Sequence, residues 1–263
     1  MYKGYNFSAG SYDFYDDVNQ YDCDIFYEGI NRKVVDSLSE FYFDYDIFND
    51  FVIDGTKMQN FCFPLSEQHI FLSHSHDDIE LVKRISYILK HYLNLDVFVD
   101  SFIWSYADDL LQLIDDKYCY QPKKKTYNYK LRNFSTSHVH MMLNNALQSM
   151  IDNCECLFFV NTKNSINEYL NNTGTYSPWI MSEIQFSSVV RRKMNRSIPI
   201  RESFAQDHAI TAGTEERKLN VLYSMNTNHL TDIGKGDFVN WINESNRYGD
   251  YGYEALSRLY QKY

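Results

Sequence analysis

Three short apolar runs constrain this chain more than any other feature: His69-Ile70-Phe71-Leu72, Val97-Phe98-Val99 and Cys156-Leu157-Phe158-Phe159-Val160. A strand that alternates apolar and polar residues buries one face, whereas a strand apolar throughout must bury both. Between the runs, apolar residues recur at helical spacing. Leu81, Val82, Ile85, Ile88, Leu89 and Tyr92 predict an amphipathic helix over about 78–93, and Met142, Leu143, Ala146, Leu147, Met150 and Ile151 predict another. A shorter helical pattern lies near 107–117. Ser177-Pro178-Trp179 is a helix start, with a Ser cap and Pro at the first helical position, and that helix should reach about Arg192. Ile198-Pro199-Ile200 and Val221-Leu222-Tyr223 are candidate fourth and fifth strands, and helices holding Trp241 and Leu256/Leu259 close the chain. The expected fold is α/β: a flavodoxin-like parallel sheet with helices on both faces.

Charge divides the chain in two. Of the formal net charge of −10, residues 1–66 carry −8, from 12 acids and 4 bases, together with 17 of the 44 aromatic residues. We expect an acidic, aromatic-rich N-terminal extension over 1–66, packed as a cap on a body over 67–263 that ends in a C-terminal helical elaboration. Residues 29–49 can hold a helix. The acidic balance disfavours nucleic-acid and anionic-membrane partners, which need a basic surface. Lys123-Lys124-Lys125 and Arg191-Arg192-Lys193 read as solvated surface. No apolar run approaches the ~18 residues that cross a bilayer, and the N-terminus lacks a signal-peptide pattern. Five cysteines at irregular spacing form no disulfide framework, and Cys154-x-Cys156 lacks the second pair a zinc site needs. The expectation is a cytoplasmic protein with reduced thiols and no metal.

Ligands of an open parallel sheet bind at the carboxyl ends of its strands, near the switch in strand order. Ser73–Asp77, 100–106 and 161–183 fall there by order alone. None contains a G-x-G-x-x-G or a P-loop motif. His74 and His76 lack further ligands for a metal. Glu183 shares a helix face with Trp179, Ile180 and Ser187, and there it is either a solvated edge residue or a functional acid.

Several segments together resemble one family. His69-Ile70-Phe71-Leu72-Ser73-His74-Ser75-His76-Asp77 is similar to the first strand and loop of bacterial TIR (Toll/interleukin-1 receptor) domains. Val97-Phe98-Val99-Asp100 resembles the second strand with its acidic end, and Cys154 to Val160 the third. Ser177-Pro178-Trp179-Ile180-Met181-Ser182-Glu183 resembles the S-x-W-x-x-x-E segment that carries the catalytic glutamate of TIR NAD-cleaving enzymes. The resemblance covers about 69–200, half of the chain, and leaves 1–66 without a counterpart. Two departures stand out: 101–136 is long and carries the Lys run, and Ser101-Phe102-Ile103-Trp104-Ser105 replaces the family's polar-acidic pattern.

The resemblance implies that Glu183 is catalytic and that Ser73, His74, Ser75, Asp100, Trp104 and Trp179 contact NAD, which is a substrate and not a resident cofactor. Nicotinamide leaves NAD as a neutral molecule, so the reaction needs no general acid. What remains is positive charge developing on the ribose, which an ionised Glu183 opposes. Attack by water gives ADP-ribose; attack by an adenine nitrogen or a ribose hydroxyl gives a cyclic isomer. Similarity to the TIR component of Thoeris-type antiphage defence implies self-association through TIR surfaces and a separate effector that senses the product. Two other classes are compatible with the residues. A non-catalytic TIR interaction module would tolerate Glu183→Gln, and a nucleoside deoxyribosyltransferase-like enzyme would form a covalent ribosyl-Glu183.

Overall fold

The computed structural model describes residues 1–29, 54–166, 174–190 and 221–263, with the side chains of 102–106 outside that set. Its centre is a five-stranded, all-parallel sheet built from β1 (Lys3–Ser8), β2 (Ile70–Ser73), β3 (Val97–Val99), β4 (Cys156–Asn161) and β5 (Thr231–Gly234), in the order β3-β2-β4-β1-β5. The fold is α/β and flavodoxin-like, as the apolar runs imply.

Side chains alternate across the sheet and feed two cores. Phe71, Phe98, Leu157 and Phe159 pack on one face against α2 (Gly55–Cys62), α4 (Ser101–Ile114), α5 (Tyr129–Asn153) and α6 (Pro178–Val189). Ile70, Leu72, Val99, Phe158 and Val160 pack on the other against α3 (Ile79–Leu93), α7 (Lys235–Tyr248) and α8 (Tyr253–Lys262). Residues 20–29 form a further helix, α1. It docks on α3 through Lys83, whose ammonium reaches Asp24 at 3.1 Å, and through Arg84, which donates to Gln20 at 2.6 Å.

Helix boundaries follow local chemistry. The α3 helix stops at Asn94, which adopts the left-handed conformation at φ 51°. The α5 helix begins well before its apolar stripe because the Asn128 side chain accepts from Lys130 N–H at 3.0 Å. Ser177 caps α6 as its sequence suggests, accepting from Ile180 N–H at 3.3 Å, and the helix ends at Val189.

The sheet departs from expectation at its other half. Val221-Leu222-Tyr223 is not its fifth strand; Tyr223–Ser224 pairs antiparallel with Gly174–Thr175 in a separate ribbon. The sheet instead takes up the chain's first residues. Lys3–Ser8 lies between β4 and β5, with Tyr5 opposite Phe158 on one side and Thr231 on the other. The first strand is therefore interior to the body that the extension over 1–66 was expected to cap. Its alternation explains this, since Tyr5 and Phe7 are fully buried while Gly4, Asn6 and Ser8 occupy the other face. The segments 29–49 (beyond residue 29 itself) and 198–200, read as helix and strand, lie outside the described residues.

Gly4 makes a close approach that only glycine permits. A Cβ there would lie 2.4 Å from Cδ2 of the buried Leu230. Gly4→Val should cost about 1–3 kcal/mol in urea unfolding by overpacking; an unchanged midpoint would show that Leu230 turns aside freely. Among the described residues, no helix is long and apolar enough to cross a membrane.

Candidate functional site

Strand order reverses between β2 and β4: the chain leaves β2 for β3 on one side and returns to β4 on the other. The crevice at their carboxyl ends is the topological switch point, where ligands of such sheets bind. Ser73 ends β2. Asp100 follows β3 directly, and because Leu72 pairs with Val99 it lies beside Ser73. Glu183 comes from the second turn of α6 and meets Ser73 there.

These elements bring four polar side chains together under cover. Ser73, His74, Asp100 and Glu183 are each no more than 4% exposed. The Ser73 hydroxyl donates to Glu183 Oε2 at 2.6 Å, and His74 Nδ1 meets Asp100 Oδ1 at 2.9 Å. Glu183 Oε1 and His74 Nε2 are buried without a hydrogen-bond partner among the described residues.

The electrostatics correct one expectation. Glu183 is not a solvated edge residue: it is buried, burial raises its carboxyl well above the ordinary range, and Asp100 beside it adds to the rise. The Ser73 hydrogen bond opposes this without reversing it. His74 moves up from the ordinary imidazole value although burial pulls it down, because the adjoining Asp100 carboxylate prevails. Glu183 therefore lies beside the His74–Asp100 contact in surroundings that favour its neutral form, while those of His74 favour the imidazolium.

Of the remaining sequence candidates, Ser75 and Trp179 are described in full and Trp104 by its backbone alone. Ser75 is half-buried and precedes the single 3-10 turn His76–Asp78, with no hydrogen bond from its own side chain to the turn. Trp179 packs edge-on against His140 of α5, with ring centroids 5.7 Å apart, so it joins the layer between two helices. Trp104 lies within α4, and its side chain is outside the described residues. The Lys123–Lys125 run forms the exposed tip between Tyr120–Gln121 and Thr126–Tyr127, two short antiparallel strands.

Sequence reading missed the brace beneath the crevice. The buried Asp78 accepts from Thr162 Oγ1 at 2.5 Å and from Asn164 Nδ2 at 2.8 Å, tying the loop after β2 to the loop after β4. The Thr162-x-x-Ser165 spacing was the available signal, since Ser165 caps that turn by accepting from Thr162 N–H at 2.8 Å. Tyr27 of α1 was also missed; its hydroxyl lies 3.4 Å from Ser101 Oγ at the rim. Among the described residues, no group of three His, Cys, Asp or Glu side chains is arranged to hold a metal ion.

Fold and geometry define the class: an α/β protein of flavodoxin-like order with a buried carboxyl–hydroxyl–imidazole cluster at the switch point. The chain matches no protein-family model, no curated protein and no solved structure.

Proposed function

We propose that this protein is a TIR-like enzyme that breaks the nicotinamide–ribose bond of NAD, with Glu183 as the catalytic carboxyl. One observation carries the reading: the glutamate of the S-x-W-x-x-x-E segment meets the serine of the Phe-Leu-Ser-His segment at 2.6 Å, at the carboxyl end of a parallel sheet. Two motifs 110 residues apart in sequence thus share one crevice. The Ser73 hydroxyl occupies the position where a ribose hydroxyl would donate to Glu183. Entry of NAD displaces that hydroxyl and brings a cationic pyridinium close to the carboxyl. That charge favours the ionised form, which then opposes the positive charge growing on the ribose as nicotinamide leaves. On this reading His74, through its Nε2, and Ser75 at the loop edge donate to the ribose or diphosphate.

The proposal extends to a cytoplasmic setting, assembly of several copies, and an ADP-ribose or cyclic ADP-ribose product sensed by a separate effector in antiphage defence. Product analysis tests the core of it. Wild-type protein, alone and under assembling conditions, should release nicotinamide from NAD, and Glu183→Gln should not. No release by the wild type under either condition sinks the enzyme reading.

The full burial of Glu183 favours one other reading, an interaction module in which the Ser73–Glu183 hydrogen bond only pins α6 to the sheet. Glu183→Gln would then preserve function, while changes at the exposed Lys123–Lys125 tip would abolish it.

A further inference from the structure

The four buried side chains fall into two pairs, His74–Asp100 and Ser73–Glu183, with Asp100 acting electrostatically on Glu183, and two of their polar atoms, His74 Nε2 and Glu183 Oε1, lie buried with no hydrogen bond in the geometry of the described residues. Asp100 is the shared member. It pairs with His74 at 2.9 Å, and its place beside Ser73 in the sheet register puts it next to the carboxyl that Ser73 holds. Where water is excluded, a neighbouring negative charge disfavours ionisation of a carboxyl, so Asp100 acts against a charged Glu183.

We propose that Asp100 is a positioning residue that sets the charge of Glu183, keeping it neutral in the empty site so that a proton must leave when a cationic substrate enters. His74 is the counterweight. Its imidazolium holds Asp100 as the ionised member, and this leaves the pair's single proton on Glu183. Among the described residues, two other groups act on the series. Asp78, on the turn after His74, adds negative charge at the imidazole, and Tyr27 of α1 faces Asp100 from the rim. Burial raises the Glu183 carboxyl, and Asp100 raises the His74 imidazole, in agreement with this division of charge.

Substrate choice follows from the same proton. A site holding one proton per empty pocket takes up a cationic ligand by exchanging that proton for the ligand's charge. It gains nothing from a neutral one. The oxidised, pyridinium form of a nicotinamide nucleotide should therefore bind better as pH rises, and the reduced, uncharged form should not show that dependence.

The role of Asp100 rests on the reading of Glu183 as the reacting carboxyl, but it is testable without turnover. Infrared spectra of the full chain should show a protonated carboxylic acid band at neutral pH that disappears in Glu183→Gln. In Asp100→Asn the band should titrate about one to two pH units lower, because the neighbouring negative charge is gone. In His74→Gln it should titrate higher, because Asp100 loses its cation. Shifts in opposite directions are not what general loosening of the site produces, since loosening admits water and lowers both. If Asp100→Asn does not fold, the upward shift in His74→Gln decides alone. Absence of the band in the wild type, or a shift of the same sign in both variants, overturns the proposal. If the infrared arm succeeds while NAD is not cleaved, the coupling stands and the enzyme reading fails. If NAD is cleaved, kcat/KM should rise with pH, and the rise should begin at lower pH in Asp100→Asn.

Discussion

A chain beginning at residue 10 should fail to fold. Deletion of 1–9 removes β1 from between β4 and β5, so that two interior edges open at once and β5 loses its only strand neighbour among the described residues. Met1, Tyr5 and Phe7 are each fully buried. At about 1.5–3 kcal/mol for each large apolar side chain returned to water, the loss rivals the ~5–15 kcal/mol that stabilises a typical domain. Open strand edges also template association between chains. The expected result is an aggregated product, or one without cooperative urea unfolding; a chain of residues 67–263, cut where composition changes, should behave likewise. A 10–263 chain that unfolds cooperatively at the wild-type midpoint would show that β1 is dispensable.

Glu183→Gln should have two effects of opposite sign. On the reading above, nicotinamide release should fall by about 10²–10³-fold, the scale for removing one preorganised electrostatic group. Stability should rise instead. The folded protein holds the Glu183 proton well above the ordinary carboxylate pKa, whereas the unfolded chain releases it near that ordinary value. The native state therefore binds more protons across that window, and its stability falls as pH rises through it. A glutamine amide at this position has no proton to release and removes the dependence, so the variant's advantage should be small near pH 4 and widen towards pH 8. Each kcal/mol gained should appear as roughly 2–4 °C in Tm. His74 adds to the same slope. Its raised imidazole contributes stability that is full below the ordinary value and is lost as pH rises through the folded one. Thermal melts of both proteins at several pH values measure the gap; a constant or narrowing gap would mean that Glu183 is not held protonated.

How much of this was legible in the sequence depended on the number of faces a segment buries. The strands β2, β3 and β4 lie between two helical layers, and their apolar runs stand out. Strand β1 reads Lys-Gly-Tyr-Asn-Phe-Ser and β5 reads Thr-Asp-Ile-Gly, so each supplies few residues to a core: Tyr5 and Phe7 from one, Ile233 from the other. Such patterns resemble ordinary surface chain. The identity of the candidate acid was legible through the helix start at Ser177-Pro178 and the family-like spacing to Glu183. Its burial was not, because that depends on Ser73 and Asp100, which the fold brings in from other strands. The same helical position without those partners would be solvated. Asp78 and Thr162 escaped notice for the same reason: each looks like a loop residue until the opposite loop arrives.

The position of β1 also imposes an order on synthesis. Of the five strands, the first to leave the ribosome is held between the two that leave it last, one beginning at Cys156 and one at Thr231. At about 5–20 residues per second, its second neighbour emerges about 10–50 seconds later. Until β4 is made Tyr5 and Phe7 have no strand neighbour, and until β5 is made the outer edge of β1 is open. That edge is covered only by the strand made last, β5, which forms the rim of the sheet.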